Sequence, residues 1–207
     1  MAIAEKTGAM GKVMAIDPDK KRIALAKSTF GQMNNIEFKE GSAETLPCLE
    51  KSFYDAVFMN YVLHWITDKK TALKNIYEVL KSGGRLAMLF NLCVPSIFEK
   101  TFRGSNLEGI LAKMKEMLFC EDLGNVENYC KEIGFVITES TEIRPTVKHP
   151  DLSSFLTLIS ASYGVFELDL IKEEKMNEFK MNLHSYEDEE GRVVEEIQLG
   201  VIIATKP

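Results

Sequence analysis

Residues 12–31 read KVMAIDPDKKRIALAKSTFG, and they constrain the architecture more tightly than any other stretch. Lys12 to Ile16 is a short apolar run fenced by Gly11 and by Asp17-Pro18. A near-continuous apolar run of that length suits a parallel strand buried on both faces. Pro18 is well placed at the first turn of a helix, Ile23 and Ala26 share one face, and Gly31 ends it. Strand followed directly by helix is the unit from which parallel sheets are built.

The same alternation continues along the chain. Asn35 to Lys39 (NIEFK) reads as a second strand closed by Gly41, and a third centres on Ala56 to Met59. Asp68 looks like an N-cap for a helix with Leu73, Ile76, Tyr77 and Leu80 at helical spacing. Ser82-Gly83-Gly84 is expected to end that helix, and Arg85 to Phe90 forms a fourth strand. Helices are expected over 96–118, 121–133, 151–163 and 170–183, with strands over 135–143 and 193–205. Lys148-His149-Pro150 reads as a loop with no assigned role. A long strand arriving last, after a helical pair and a polar loop, fits a mainly parallel α/β sheet with one late antiparallel strand. A dinucleotide-binding dehydrogenase sheet is usually parallel throughout.

Composition narrows the function classes. The 207 residues suffice for one domain with a real core. The net charge of -6 disfavours a nucleic-acid or anionic-membrane surface, which would call for clustered Lys and Arg. Cys48, Cys93, Cys120 and Cys130 form no CxxC pair, so neither a zinc site nor a disulfide framework is signalled, and a reduced, cytoplasmic setting is the plain expectation. No apolar run reaches the ~20 residues that cross a bilayer, and the opening residues lack the apolar stretch of a signal peptide.

KVMAIDPDKKRIALAK, IEFKEGSAETLP, FYDAVFMNYVLHWITDKKTALKNIYEVLKSGGRLAML, KEIGFVI and the closing strand ending ATKP occur in that order. Together they resemble the class I S-adenosylmethionine-dependent methyltransferases, nearest the small-molecule enzymes of the trans-aconitate and juvenile hormone acid type. The resemblance runs from about Ile3 to Pro207 and implies a Rossmann-like α/β fold and S-adenosyl-L-methionine as cofactor. It implies a single domain: a cofactor half over 1–95, a helical lid from 96–120 and 151–183, and closing strands at 135–143 and 193–205.

The resemblance also assigns residues. Asp17, followed by Pro18, would accept hydrogen bonds from the two ribose hydroxyls, since an ionised carboxylate offers only acceptors and a diol offers two donors. Asp17 also suits a helix N-cap, and the two roles are compatible. Ser42, Ala43 and Glu44 would face the adenine, with Ser42 where many relatives carry Asp. Asn60 and Tyr61 would lie near the cofactor sulfur, because ligands of open α/β sheets sit beyond the carboxyl ends of the strands. His64 and Trp65 match the carboxyl-methylating subgroup and would shape the acceptor pocket. No metal ligands are implied.

The family begins with a strand and a glycine-rich loop whose backbone N–H groups face the methionine part of the cofactor. No G-x-G precedes Asp17, so the sequence reads as N-terminally truncated, without that first strand and loop. Two lost hydrogen bonds to charged groups would cost about 3–6 kcal/mol, on the order of 100- to 10,000-fold in affinity. Strand edges left unpaired would favour self-association or pairing with a paralogue. A carboxylic acid acceptor is already ionised at neutral pH and needs no general base, only orientation against the methyl group. With no obvious base in the sequence, and with apolar lid helices, the resemblance implies carboxyl O-methylation of a hydrophobic small acid. The alternative is a catalytically impaired methyltransferase-like binding module.

Overall fold

The protein, described here by a computed structural model, is traced over residues 2–46, 50–102, 108–163 and 173–207. Cys48 and the lid stretches 103–107 and 164–172 lie outside the described residues. A short helix α1 (Ala2–Thr7) precedes β1 (Val13–Asp17), α2 (Lys20–Phe30) and β2 (Ile36–Glu40). Then come β3 (Tyr54–Asn60), a single 3-10 turn (Leu63–Trp65), α3 (Lys69–Val79) and β4 (Leu80–Asn91). Helices α4 (Ser96–Phe102), α5 (Glu108–Met117) and α6 (Leu123–Ile133) lead to β5 (Val136–Ile143) and β6 (Thr146–His149). Helices α7 (Leu152–Tyr163) and α8 (Glu173–His184) precede β7 (Val193–Glu196) and β8 (Leu199–Thr205).

β1 pairs with β2 in parallel, and β3 pairs with β4 in parallel. β8 is antiparallel to both its neighbours, β4 and β5, in a sheet of order β3-β4-β8-β5. This is the expected mainly parallel α/β architecture with late antiparallel pairing. The β1–β2 pair is not hydrogen-bonded to the larger sheet, so β1 and β3 each keep one free edge among the described residues. Phe58, in the middle of β3, is 55% exposed as a result.

Several boundaries differ from those expected. The helix α3 stops at Val79, and Ser82-Gly83-Gly84 lie inside β4 rather than capping it. The reason is long-range: Gly83 N–H donates to Lys206 O at 2.7 Å and Lys206 N–H donates to Gly84 O at 2.9 Å. These bonds tie the glycines to the residue after β8, with Gly83 at a left-handed φ of 77°. The stretch 96–118 is not one described helix but two, α4 and α5. The final run is two strands, and the expected loop at Lys148-His149 is strand β6, paired antiparallel with β7. The expected caps Asp68 and Gly134 hold. Asp68 accepts Thr71 N–H at 3.0 Å, and Gly134 takes a left-handed φ of 112° at the end of α6.

Two apolar cores result. The first lies between the larger sheet and helices α3 and α6, and includes Leu73, Ile76, Leu86, Phe90, Val126 and Ile202. The second lies among α4, α5, α7, α8 and β7, with Phe98, Phe102, Met114, Phe155, Phe179 and Val193 at its centre. Trp65 packs against the second core, directly after His64, which is itself 2% exposed. The turn after β3 therefore touches both cores, Leu63 in the first and Trp65 against the second. Phe119 N–H donates to His64 O at 2.8 Å and ties the end of the α5 segment to it. No helix among the described residues is long and apolar enough to cross a membrane.

Candidate functional site

Asp17 is the last residue of β1 and lies opposite Glu40. Its Oδ1 accepts Asp19 N–H at 2.8 Å. The cap of α2 is Asp19, whose side chain accepts Lys21 N–H and Arg22 N–H. The expected N-cap duty thus passes to Asp19, and Oδ2 of Asp17 has no hydrogen-bond partner among the described residues. Pro18 separates the two acids and lies just outside the helix.

The turn after β2 lies beside Asp17. Gly41 N–H donates to Asp17 O at 3.2 Å, which brings Ser42 next to the end of β1. Ser42 Oγ and Thr45 Oγ1 are 3.0 Å apart. The carbonyls of Ala43 and Glu44 accept from Asn75 Nδ2 of α3, at 3.0 and 2.9 Å. Glu44 Oε1 accepts Asp68 N–H at 3.0 Å, so its carboxylate fastens the turn to the start of α3.

Asn60 ends β3 and is exposed. Tyr61 follows with φ of 56°, a left-handed backbone unusual for a bulky residue. Tyr61 N–H donates to Leu89 O at 2.8 Å and holds that conformation in place. Such strain persists where surrounding structure over-determines it, often at ligand sites. The phenol of Tyr61 is pushed up by burial and, secondly, by the charge of Glu195.

His64 is the most constrained polar group in the region. Its Nδ1 accepts the backbone N–H of Asn91 at 3.1 Å. Burial first, and the Lys69 charge second, lower its pKa from 6.5 to about 4. At neutral pH the ring is neutral. A nitrogen that accepts from an N–H cannot carry a proton itself, so the proton sits on Nε2, a donor without a partner among the described residues. The Trp65 ring lies beside it, tilted by 44°, with ring centroids 5.4 Å apart. Lys69 is 7% exposed, donates to Ile66 O at 2.8 Å and lies over the Phe119 ring.

Two groups here escaped the sequence reading. Asn91 ends β4 and is 5% exposed, and its Oδ1 is buried without a partner. The second is a buried pair, His149 Nε2 to Glu195 Oε1 at 2.8 Å, on the β6–β7 ribbon. Its only sequence signal is a His and a Glu 46 residues apart, which pattern alone cannot join.

Asp17 and Ser42 therefore stand at the carboxyl end of the parallel β1–β2 pair, and Asn60 and Tyr61 at the carboxyl end of β3 in the larger sheet; α/β sheets hold ligands beyond such ends. Residues 1–88 match the methyltransferase domain family. The matched domain ends within β4, before the lid begins. Over 89 residues the chain is 37% identical to the demethylmenaquinone methyltransferase of Lactococcus lactis, covering 42% of this chain and 35% of that protein. The chain spans about a third of the length of the curated relatives it matches.

Solved structures extend the likeness in fold to the whole chain. The YcgJ protein of Bacillus subtilis superposes with a TM-score of 0.61 at 14% identity, covering 94% of this chain and 82% of that one. A geranyl diphosphate methyltransferase solved in complex with SAM gives 0.56 at 12% identity, covering 100% of this chain and 73% of that one. At these identities the likeness to the solved structures is one of fold, and the methyltransferase domain match is confined to residues 1–88.

Proposed function

We propose that the chain transfers a methyl group from S-adenosylmethionine to a hydrophobic small molecule held between the strand ends and the lid. The observation that carries this reading is the free second oxygen of Asp17, at the end of β1 and beside Ser42, with the cap of α2 handed to Asp19. That donor set fits the cofactor: Asp17 would accept from the ribose diol. Ser42, Ala43 and Glu44 would border the adenine, and Asn60 and Tyr61 the sulfur. The bound cofactor would supply an electrophilic sulfonium methyl group.

His64 and Trp65 would line the acceptor side. For a carboxylic acid acceptor, the Nε2–H of neutral His64 offers a donor to a carboxylate oxygen, and the apolar second core suits a hydrophobic body. No base is needed for an acceptor that is already ionised, and orientation carries the reaction. A second acceptor reading is favoured by the His149–Glu195 pair: a hydroxyl or acidic carbon that must lose a proton. The Lactococcus lactis relative, named for demethylmenaquinone, makes a ring acceptor of that kind a natural comparison.

Methyl transfer from labelled S-adenosylmethionine to 1-naphthoic acid, 1-naphthol and 1-naphthylamine tests the reading. Turnover of an oxygen acceptor is the expected result. Turnover of the amine alone would contradict it. Cofactor binding without turnover of a broad apolar panel would favour a binding module instead.

A further inference from the structure

Six polar or charged residues are buried among the described ones: His64, Lys69, Asn91, Thr101, His149 and Glu195. Thr101 bonds Ile97 O within its own helix, and Lys69 bonds Ile66 O. His64 and Asn91 belong to the turn described above. The remaining two, His149 and Glu195, are 7% and 8% exposed and face each other. Burying a polar pair costs desolvation that apolar side chains of similar size would avoid, so its position in an apolar core is not explained by stability alone.

Its place in the fold is specific. Leu199, the first residue of β8, pairs with Asn91 at the carboxyl end of β4 and with Ile143 at the end of β5. The chain continues past that point on both sides. Ile197 N–H donates to Pro145 O at 3.1 Å, and β6 and β7 then pair as a two-stranded ribbon. The ribbon therefore extends beyond the carboxyl end of β4, the same end at which β3 carries Asn60 and Tyr61. His149 lies opposite Val193, and Glu195 lies opposite Val147, so the two are diagonal neighbours on one face. Phe155 flanks the imidazole at 4.8 Å between centroids.

We propose that His149 and Glu195 form the general-base dyad of the acceptor site, for an acceptor that carries a hydroxyl or an acidic C–H. This rests on the methyl-transfer reading and names its substrate class. An ionised carboxylate only accepts, so Glu195 takes the Nε2–H and fixes the tautomer. The lone pair then resides on Nδ1, which has no hydrogen-bond partner among the described residues. In the reaction, Nδ1 removes the acceptor proton. The freed electron pair forms a bond to the methyl carbon, the carbon–sulfur bond breaks, and its electrons return to sulfur as S-adenosylhomocysteine forms. The proton remains on His149 as an imidazolium facing Glu195. A base placed in this way is worth roughly 100- to 10,000-fold in rate.

Three measurements on the full chain and on His149→Gln and Glu195→Gln test the dyad: affinity for S-adenosylhomocysteine, methylation of 1-naphthol against 1-naphthoic acid, and nitrogen-detected NMR of the His149 ring. The expected result is unchanged affinity, at least about a 100-fold loss on the naphthol for His149→Gln, no loss on the acid, and a neutral wild-type ring with its proton on Nε2. Equal losses on both acceptors, no loss on the naphthol, a proton on Nδ1 at neutral pH, or a wild type that binds S-adenosylhomocysteine but leaves the naphthol untouched would each overturn the dyad and leave the methyl-transfer reading standing. A folded wild type that does not bind S-adenosylhomocysteine would overturn that reading, and the dyad with it.

Discussion

Phe102→Ala is expected to lower the unfolding free energy by about 3–5 kcal/mol, the range for emptying a large aromatic site in a core. Phe102 is fully buried, stacked on Phe179 at 4.8 Å between centroids and on Phe98 at 6.0 Å. It closes the second core and packs α4 against α8. Both adjoining rings lie parallel to it within 17°. Urea denaturation followed by circular dichroism measures the effect. A loss below about 1 kcal/mol would mean that these helices do not form a shared core.

The second large effect is a pH dependence set by His64. Its folded pKa, about 4, lies below the ordinary value of 6.5, so the folded state prefers the neutral ring. The stability this contributes is fully present above 6.5 and is lost as pH falls through the folded value. The difference amounts to about 3 kcal/mol at 1.36 kcal/mol per pKa unit. Carboxylates titrate in the same range, so the comparison is with His64→Gln, which keeps an acceptor for Asn91 N–H but cannot be protonated there. The wild type should lose about 3 kcal/mol more than the variant between pH 7 and pH 4. Parallel acid limbs for the two proteins would show that the ring is not held neutral by burial.

The alternation of strands and helices was legible because it rests on local signals. Val13 to Ile16 before Asp17-Pro18, the apolar stripe of α3 behind Asp68, and Gly134 after α6 each carry their structure in a few adjacent residues. Where the reading failed, distant partners decided. The glycines at 83 and 84 look like a helix cap, but α3 has already ended at Val79 and hydrogen bonds to Lys206 hold them within β4. His149 looks like a loop residue beside Pro150, but β7 pairs with it from across the lid. Of the two acids flanking Pro18, only the geometry shows which one caps α2 and which keeps an oxygen free. The proposed cofactor residues were legible through family resemblance. Asn91 was not, since an ordinary asparagine at a strand end matters only once its oxygen is found buried.

The decisive measurement is calorimetric titration of the chain with S-adenosylhomocysteine, repeated on Asp17→Asn. Asparagine retains an acceptor for Asp19 N–H, so the turn survives while the charge is lost. With hydrogen bonds to a charged group worth roughly 1.5–3 kcal/mol each, the predicted result is saturable binding that weakens at least about 10-fold in the variant. Equal affinity of the two proteins, or no binding by a folded wild type, would contradict a ribose site at the end of β1.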